Sequence, residues 1–290
     1  MKKILSILLV AFSTASLTAS AATFQQMRFH CDNDTTEIND LLRKGAQSGL
    51  KPPNQIVAFY ANEMMGRPYV AHTLEGDNEM LTINIHQLDC TTFVETLYAL
   101  TRSTLNSRTS WRDYAANLED LRYRNGEMTD YSSRLHYISE WIVNNRSRGN
   151  LIEVTSDIPT ADHIVNNIDF MTKHKDSYQA LKNDSAMVEK IRNYEVGYRK
   201  HRMPYVKKQW LGNKKVKEAL KPGDFIALVT KIEGLDISHL GIIHKDDKGE
   251  VYLLDASMTG EKVMLENEPL ADYLRHSKNN LGIRVFRIMQ

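Results

Sequence analysis

The two cysteines of this 290-residue chain are its strongest candidates for covalent chemistry, and Cys90 is the better placed. It lies in the stretch HQLDCTTFVETLYAL, where apolar residues follow at helical spacing, so it is predicted in the first turn of a helix. Free N–H groups and the positive end of the helix dipole stabilise a thiolate there and can hold an oxyanion. Asp89 alone, or Thr92 with Glu95, fits as the helix cap. We interpret Cys90 as a nucleophile, the alternative being a small buried hydrophobic residue.

A nucleophilic thiol needs a base and a group that orients the base. In GLDISHLGIIHK, strand alternation places His239 and Gly241 on one face, and the missing side chain of Gly241 is predicted to leave room for a substrate beside the imidazole. Asp255 stands between Leu254 and Ala256, an unusual place for a carboxylate without a partner. If the two strands pair through the loop DDKG, Asp255 can reach His239. A structural histidine and a solvated aspartate are the alternatives.

The second cysteine and the possible metal ligands give weaker signals. Cys31 lies in FHCDNDTTE near the predicted mature N-terminus, where it is either a free thiol or a disulfide partner of Cys90. His86, Asp89 and Cys90 are residue types that can bind zinc, but the chain has no H-E-x-x-H motif, no paired C-x-x-C motif and no P-loop. We therefore expect no metal and no other cofactor.

The N-terminus and the charge balance limit where the protein works and what it binds. MKKILSILLVAFSTASLTASAA has a basic start, a short apolar run and a small-residue cleavage site, which predicts a signal peptide over residues 1–21 and a periplasmic protein. No later stretch is long and apolar enough to span a bilayer. Without Lys2 and Lys3, 35 basic residues face 36 acidic ones, which argues against nucleic acid as a partner. The basic segment 190–221 is either a solvated face or an attractor of acidic wall polymers.

The apolar periodicity changes from helical to alternating along the chain. Helices are predicted through the first half, within YSSRLHYISEWIVNN, and over residues 176–203, with a break near Gly197 or Pro204. FIALVT, SHLGIIHK, EVYLLDAS and IRVFRI are predicted strands, so the fold class is α+β with a C-terminal antiparallel sheet. In the helix predicted within YSSRLHYISEWIVNN, Arg134 and His136 flank the buried Leu135. They either face a substrate or belong to an ordinary amphipathic helix.

Several of these motifs resemble a known family. GRPYV followed by LDCTTFVE is similar to the G-x-P-Y and D-C-S-G-F signature of the NlpC/P60 cell-wall peptidases. GRPYVAHTLE, LDCTTFVETLYAL, YSSRLHYISEW and GLDISHLGI resemble the DUF1460 branch of that superfamily, over roughly residues 50–290. The resemblance implies a papain-like α+β core with helical additions, forming one catalytic domain over residues 22–290.

The resemblance also implies a role for single residues. Cys90 matches the nucleophile, His239 the base and Tyr69 the substrate-facing tyrosine of the G-x-P-Y motif. Asp255 falls where the superfamily has a third polar group, most often His, Asn or Gln. Asp89, Arg134 and His136 are further candidates for substrate binding. Thr91 and Thr92 stand where many relatives have Ser-Gly, which weakens any assumption that the chain binds peptides as the endopeptidases do.

The implied activity is that of an N-acetylmuramoyl-L-alanine amidase acting on peptidoglycan-derived disaccharide-peptides, including anhydromuropeptides. It would cut the amide between the lactyl group and L-Ala through a thioester on Cys90. Two alternatives remain open at this stage. One is a γ-D-glutamyl endopeptidase that cuts within the stem peptide, and the other is a binder of wall fragments without catalytic activity.

Overall fold

The computed structural model describes residues 22–289, so the predicted signal peptide lies outside the described residues. The helices are α1 (Asp34–Gln47), α2 (Pro53–Met64), α3 (Cys90–Leu105), α4 (Trp111–Arg122), α5 (Ile138–Ser147), α6 (Phe170–Lys173), α7 (Gln179–Lys182), α8 (Ser185–Val196), α9 (Lys214–Ala219) and α10 (Leu270–His276). The strands are β1 (Met27–Phe29), β2 (Leu81–Ile83), β3 (Leu151–Glu153), β4 (Ala161–Asn166), β5 (His201–Lys207), β6 (Phe225–Thr230), β7 (Ile237–Lys245), β8 (Val251–Ser257), β9 (Lys262–Leu265) and β10 (Asn280–Ile288). Within this part of the chain, no helix combines the length and the apolarity of a membrane span.

An eight-stranded sheet forms the centre of the molecule, with most strands in the order β4-β5-β10-β6-β7-β8-β9 and β3 also paired to β10. These neighbouring strands are antiparallel, and helices α1 to α4 precede them in the chain. The predicted α+β class is therefore confirmed. The predicted hairpin is confirmed as well, since β7 and β8 pair directly across the loop after Lys245.

Both faces of the sheet are covered, as strand β6 illustrates. Phe225, Ala227 and Val229 point into the larger core, which also contains the buried faces of α1 to α4. Ile226 and Leu228 point into a second core with residues of α9 and α10. A strand buried on both faces reads as a continuous apolar run, and this is why FIALVT carries no polar alternation.

Two segments predicted as helices are different in the structure. In YSSRLHYISEWIVNN, residues 131–133 form a short 3-10 turn, 134–137 are extended, and the helix begins only at Ile138. Backbone pairing explains the difference, because Arg134 forms a β-bridge with Tyr123 and the N–H of Leu135 donates to the Arg122 carbonyl at 2.9 Å. Arg134 and His136 therefore do not lie on a helix.

The segment 176–203 is helical only in part. The break predicted near Gly197 is confirmed, since helix α8 stops at Val196, but residues 201–207 form strand β5, so the helix predicted over 201–203 is wrong. This strand pairs with β4 along six residues and with β10 at its end. Local propensity alone did not reveal it, because its pairing partners lie far away in the chain.

The edge of the sheet beyond β9 leads directly to the nucleophile candidate. Residues 66–70 pair with β9. The Gly66 N–H donates to the Val263 carbonyl, and the Val263 N–H donates to the Arg67 carbonyl, each at 2.8 Å. Leu88 pairs with this same segment, donating to the Pro68 carbonyl at 3.0 Å. Two residues later, Cys90 begins helix α3. The extension beyond the sheet edge therefore positions the start of the helix.

Candidate active site

Cys90 is the first residue of α3, and a reciprocal cap fixes its position. Asp89 Oδ1 accepts the Thr92 N–H at 2.8 Å, and the Thr92 hydroxyl accepts the Asp89 N–H at 2.9 Å. Of the two predicted caps, the structure therefore has Asp89 as the cap of the helix, with Thr92 as its hydrogen-bond partner. The side chain of Glu95 accepts a hydrogen bond from Arg122 instead. The Cys90 thiol is free and half-buried, so a substrate can reach it.

The first turn of α3 also provides free backbone donors. Asp89 accepts the N–H of Thr92 with its side chain and the N–H of Phe93, at 2.9 Å, with its carbonyl. Within residues 22–289, the N–H groups of Cys90 and Thr91 have no such partner. Unsatisfied N–H groups at a helix N-terminus attract negative charge. This end of α3 can therefore hold the oxyanion that forms when the thiol attacks a carbonyl.

His239 and Asp255 meet on one face of the β7–β8 hairpin. The register of the two strands pairs Ile242 with Leu254, and its continuation places Gly241 opposite Asp255. His239 is therefore diagonal to Asp255, within reach of its side chain. Nε2 of His239 bonds to Oδ2 of Asp255, which leaves Nδ1 as the ring nitrogen available to a thiol. Asp255 is almost fully buried, whereas the His239 side chain is 18% exposed.

The three side chains form one electrostatic unit. Burial disfavours the imidazolium form of His239. The charge of Cys90 and the hydrogen bonds of His239 with Asp255 and Cys90 outweigh burial and raise the pKa of His239 to about 10. At neutral pH the imidazole is therefore protonated, and it lies between the Cys90 sulfur and the Asp255 carboxyl group. Cys90 and His239 together can therefore provide both an attacking nucleophile and a proton for the leaving group.

Gly241 has a different role from the predicted one. The sequence predicted that its missing side chain leaves room for a substrate, but strand β8 fills that space. A Cβ atom at this position would lie 2.8 Å from the Leu254 carbonyl oxygen and 3.0 Å from the Asp255 Cβ. Gly241 therefore permits the close approach of the two strands that brings Asp255 to His239.

We expect the substitution Gly241→Ala to lower turnover, because the added methyl must push β8 and Asp255 away from His239. A misplacement of this kind costs about 10- to 100-fold in kcat. Steady-state kinetics and a thermal melt measure the effect. Gly212→Ala is the matched control, since the Cβ there would meet only Ala271 Cβ at 4.0 Å. Turnover of Gly241→Ala equal to that of the control would contradict this role.

Tyr69 lies beside the nucleophile. Its N–H donates to the Glu261 carbonyl at 2.9 Å, and it forms a bridge with Leu88. Burial, and after it the charges of Cys90 and Asp89, raise the pKa of Tyr69. The phenol therefore remains a hydrogen-bond donor at neutral pH. This places it well to contact a bound substrate near the thiol.

Glu266 and Tyr273 belong to the same electrostatic neighbourhood and were missed in the sequence. Burial raises the pKa of Tyr273 to about 12, helped by the charges of Asp255 and Glu266. Glu266 accepts a hydrogen bond from Ser257 at 2.9 Å, and its own pKa is raised mainly by burial. Ser257 shares the strand face of Asp255 and could have been found by alternation. No motif in the sequence pointed to Tyr273.

Arg134 lies in a different set of contacts. Its guanidinium forms ion pairs with Glu79 at 2.7 Å and with Glu75 at 2.8 Å, and its side chain is only 8% exposed. His136 donates from Nε2 to the Tyr131 carbonyl at 2.8 Å. Burial, followed by the charge of Arg134, holds the pKa of His136 well below its usual value. The structure thus brings Cys90, His239, Asp255, Tyr69 and the Asp89 cap together, whereas Arg134 and His136 are engaged with protein groups of their own.

Replacing Arg134 by Ala should destabilise the protein, because it leaves the buried Glu79 carboxylate without its partner. Breaking a buried ion pair in this way costs about 3–5 kcal/mol, which corresponds to a Tm lower by about 10 °C. Thermal unfolding measures it, with the exposed Arg108→Ala as control. If Arg134 acts mainly on substrate, KM will rise while Tm stays at the wild-type value, which would contradict the structural role.

With this geometry described, comparison with known proteins assigns the chain. A family model described as AmiA-like, N-acetylmuramoyl-L-alanine amidase-like, matches residues 60–283. The chain belongs to this amidase-like family. Its members are cell-wall hydrolases of the amidase type, and this matches the resemblance carried by the four sequence motifs. No curated protein matches the chain.

Solved structures agree with this family. A structure named as an N-acetylmuramoyl-L-alanine amidase from Bacteroides uniformis ATCC 8492 is 34% identical, with a TM-score of 0.76, and the match covers 82% of this chain and 99% of that one. A protein from Bacteroides fragilis named as a candidate xylanase is 36% identical, with a TM-score of 0.73, covering 79% and 99%. A DUF1460 protein from Legionella pneumophila str. Philadelphia 1 has 21% identity and a TM-score of 0.66, covering 88% and 95%, so it shares the fold.

Proposed function

We propose that this member of the amidase-like family is a cysteine amidase that cuts the bond between the lactyl group of N-acetylmuramic acid and L-Ala in peptidoglycan fragments. The observation that carries the proposal is the alignment of Cys90, His239 and Asp255, in which one imidazole interacts with both a thiol and a buried carboxylate. The amidase name of the Bacteroides uniformis relative supports the choice of bond. With the signal peptide predicted from the sequence, we further propose that the enzyme works in the periplasm.

In the first half-reaction, the Cys90 thiolate attacks the lactyl carbonyl carbon. Negative charge moves to the carbonyl oxygen, where the N–H groups of Cys90 and Thr91 stabilise it. The C–N bond then breaks, and His239 gives its proton to the departing amine of L-Ala. The products of this step are the free stem peptide and a muramyl thioester on Cys90.

In the second half-reaction, the neutral His239 takes a proton from water, and the resulting hydroxide attacks the thioester carbonyl. The C–S bond breaks, the free lactyl carboxylic acid leaves, and the thiolate and imidazolium are restored. Asp255 orients the ring through Nε2 and stabilises its positive charge in both steps. One water is consumed for each amide cut, so the reaction balances as a hydrolysis.

The same chemistry would serve a γ-D-glutamyl endopeptidase, so the bond must be identified from the products. A defined disaccharide-peptide is incubated with the enzyme and analysed by mass spectrometry. Release of the intact stem peptide with a free L-Ala amine supports the amidase. Release of the part of the stem peptide that follows D-Glu, with L-Ala and D-Glu left on the sugar, identifies the endopeptidase, and recovery of intact substrate leaves only a binding role.

The thioester itself can be intercepted. Hydroxylamine added during turnover should yield a muramyl hydroxamate in place of part of the free acid, because it competes with water for an acyl-enzyme. A product mixture without hydroxamate at saturating hydroxylamine would argue against a covalent intermediate. Glycoside hydrolysis, suggested by the name of one relative, has less support. It requires two carboxyl groups facing the scissile bond, whereas Asp255 is turned onto His239.

A further inference from the structure

A second cysteine-histidine cluster lies outside the proposed catalytic unit. Cys31, Asp34 and His86 each direct one potential ligand atom to a common point, and these atoms all lie within 4.8 Å of one another. Cys31 and Asp34 stand at the start of α1, and His86 stands on the loop before α3. None of the three takes part in the mechanism above, so their convergence needs its own explanation.

The distances match those expected around a tetrahedral zinc ion. Zn–S, Zn–N and Zn–O bonds of about 2.3, 2.0 and 2.0 Å imply S···N separations of about 3.5 Å and N···O separations of about 3.3 Å. Cys31 Sγ lies 3.5 Å from His86 Nε2, and Asp34 Oδ1 lies 3.2 Å from the same nitrogen. Glu37 Oε2 lies 3.5 Å from that nitrogen, but Glu37 is outside the group of mutually close ligand atoms, and its Oε1 pairs with Arg67 at 2.6 Å.

Asp34 provides an independent observation. Its side chain is fully buried, and within residues 22–289 its Oδ1 has no hydrogen-bond partner. Its other oxygen, Oδ2, accepts the N–H of Cys31 at 2.9 Å. A buried carboxylate oxygen without a donor is costly unless a cation neutralises it. This oxygen faces His86 Nε2, in the centre of the cluster.

The use of a single ring nitrogen distinguishes this cluster from a second catalytic triad. A relay histidine uses its two nitrogens for different partners, as His239 does with Asp255 on Nε2. In contrast, Cys31, Asp34 and Glu37 all converge on Nε2 of His86. One nitrogen carries at most one proton and cannot donate to three acceptors. A metal ion that binds Cys31, Asp34 and His86 at once satisfies the arrangement of these three ligand atoms.

We propose that Cys31, Asp34 and His86 bind a zinc ion, with a water oxygen as the fourth donor. The set of one sulfur, one nitrogen and two oxygen donors suits zinc, which accepts all three atom types. The side chains of His86 and Glu37 are each 29% exposed and give the ion a path from solvent. The ion would fasten the N-terminal segment and α1 to the loop four residues before Cys90.

The test is metal binding by the purified protein, and it does not depend on the proposed activity. After chelator treatment and removal of the chelator, one equivalent of zinc should bind, as measured by calorimetry and elemental analysis. Cobalt in place of zinc should show a thiolate-to-metal charge-transfer band in wild type and in Cys90→Ser. The band should vanish in Cys31→Ser, because that variant removes the sulfur ligand.

Asp34→Asn and Asp32→Asn form a matched pair, since Asp32 is exposed and two residues away. Asp34→Asn should weaken zinc binding by more than about tenfold, and Asp32→Asn should leave it unchanged. Zinc at a hundredfold excess over Kd should raise the Tm of wild type by about 5 °C or more. A wild-type protein that binds no zinc, or a cobalt band that survives in Cys31→Ser and is lost in Cys90→Ser, would overturn the proposal. If Cys31→Ser fails to fold, the spectrum of Cys90→Ser decides the matter, because Cys31 is then the only thiol in the chain.

Discussion

Replacement of Cys90 by Ala is expected to lower kcat by about 10⁴-fold or more, because the only atom that forms a bond to the substrate is removed. His239→Ala should cause a loss of similar size, since the nucleophile and its base act as a unit. The double variant should be little worse than either single one. Turnover of a defined disaccharide-peptide, followed by mass spectrometry of the released stem peptide, measures all three.

His244→Ala is the matched control for the base. It lies on the same strand, β7, and pairs opposite Tyr252, away from the thiol. Its turnover should remain near that of wild type. The Cys90→Ala protein should still bind substrate and keep its Tm, because the half-buried thiol contributes little to the core. Hydrolysis at a wild-type rate by Cys90→Ala would remove the thioester mechanism.

Asp255→Asn is expected to change both the rate and its pH dependence. The pKa of His239 is raised to about 10, with Cys90 and Asp255 as the groups that raise it against burial. In wild type the imidazolium therefore persists at neutral pH. Activity should fall as the pH rises through about 10, where the proton for the leaving amine is lost. An amide in place of the carboxylate stabilises the imidazolium less and lowers the pKa of His239. The fall in activity at alkaline pH should therefore occur at a lower pH than in wild type.

Asp255→Asn should also reduce kcat by about 10²- to 10⁴-fold, since the amide no longer stabilises the imidazolium. The pH profile of kcat/KM distinguishes this catalytic effect from a loss of structure. A destabilised enzyme would have a lower kcat/KM at every pH, but its activity would still fall at the same alkaline pH as in wild type. Asp272→Asn, on the solvent side of α10 and paired with Arg275, is the matched control. An alkaline limb that coincides in Asp255→Asn and wild type would show that Asp255 does not act through His239.

Several features could be predicted because their causes are local. A cap followed by apolar residues at helical spacing is enough to place Cys90 in the first turn of α3. Alternation in two strands joined by a short loop is enough to place His239 and Asp255 on one face. The α+β class follows in the same way from the change of period along the chain. Each of these predictions depends on residues of one helix or strand, or of two that follow each other in the chain.

Other features depended on contacts between distant parts of the chain. Whether Arg134 faces a substrate or a protein carboxylate was decided by Glu75 and Glu79, more than fifty residues earlier. Residues 201–203, at the start of strand β5, were predicted as helix because the pairing of this strand with β4 and β10 is not visible in its own residues. Gly241 was expected to make room for a substrate, and the packing of β8 decided otherwise.

The sequence by itself determined the chemical types of the catalytic unit and the two local scaffolds that carry them, since helix starts and strand faces are properties of neighbouring residues. Only the tertiary structure decided which of these scaffolds meet. It joined α3 to the β7–β8 hairpin through the edge beyond β9, and it brought Cys31, near the predicted mature N-terminus, to His86. Such convergence results from burying the faces of many elements at once, and no single stretch of sequence encodes it.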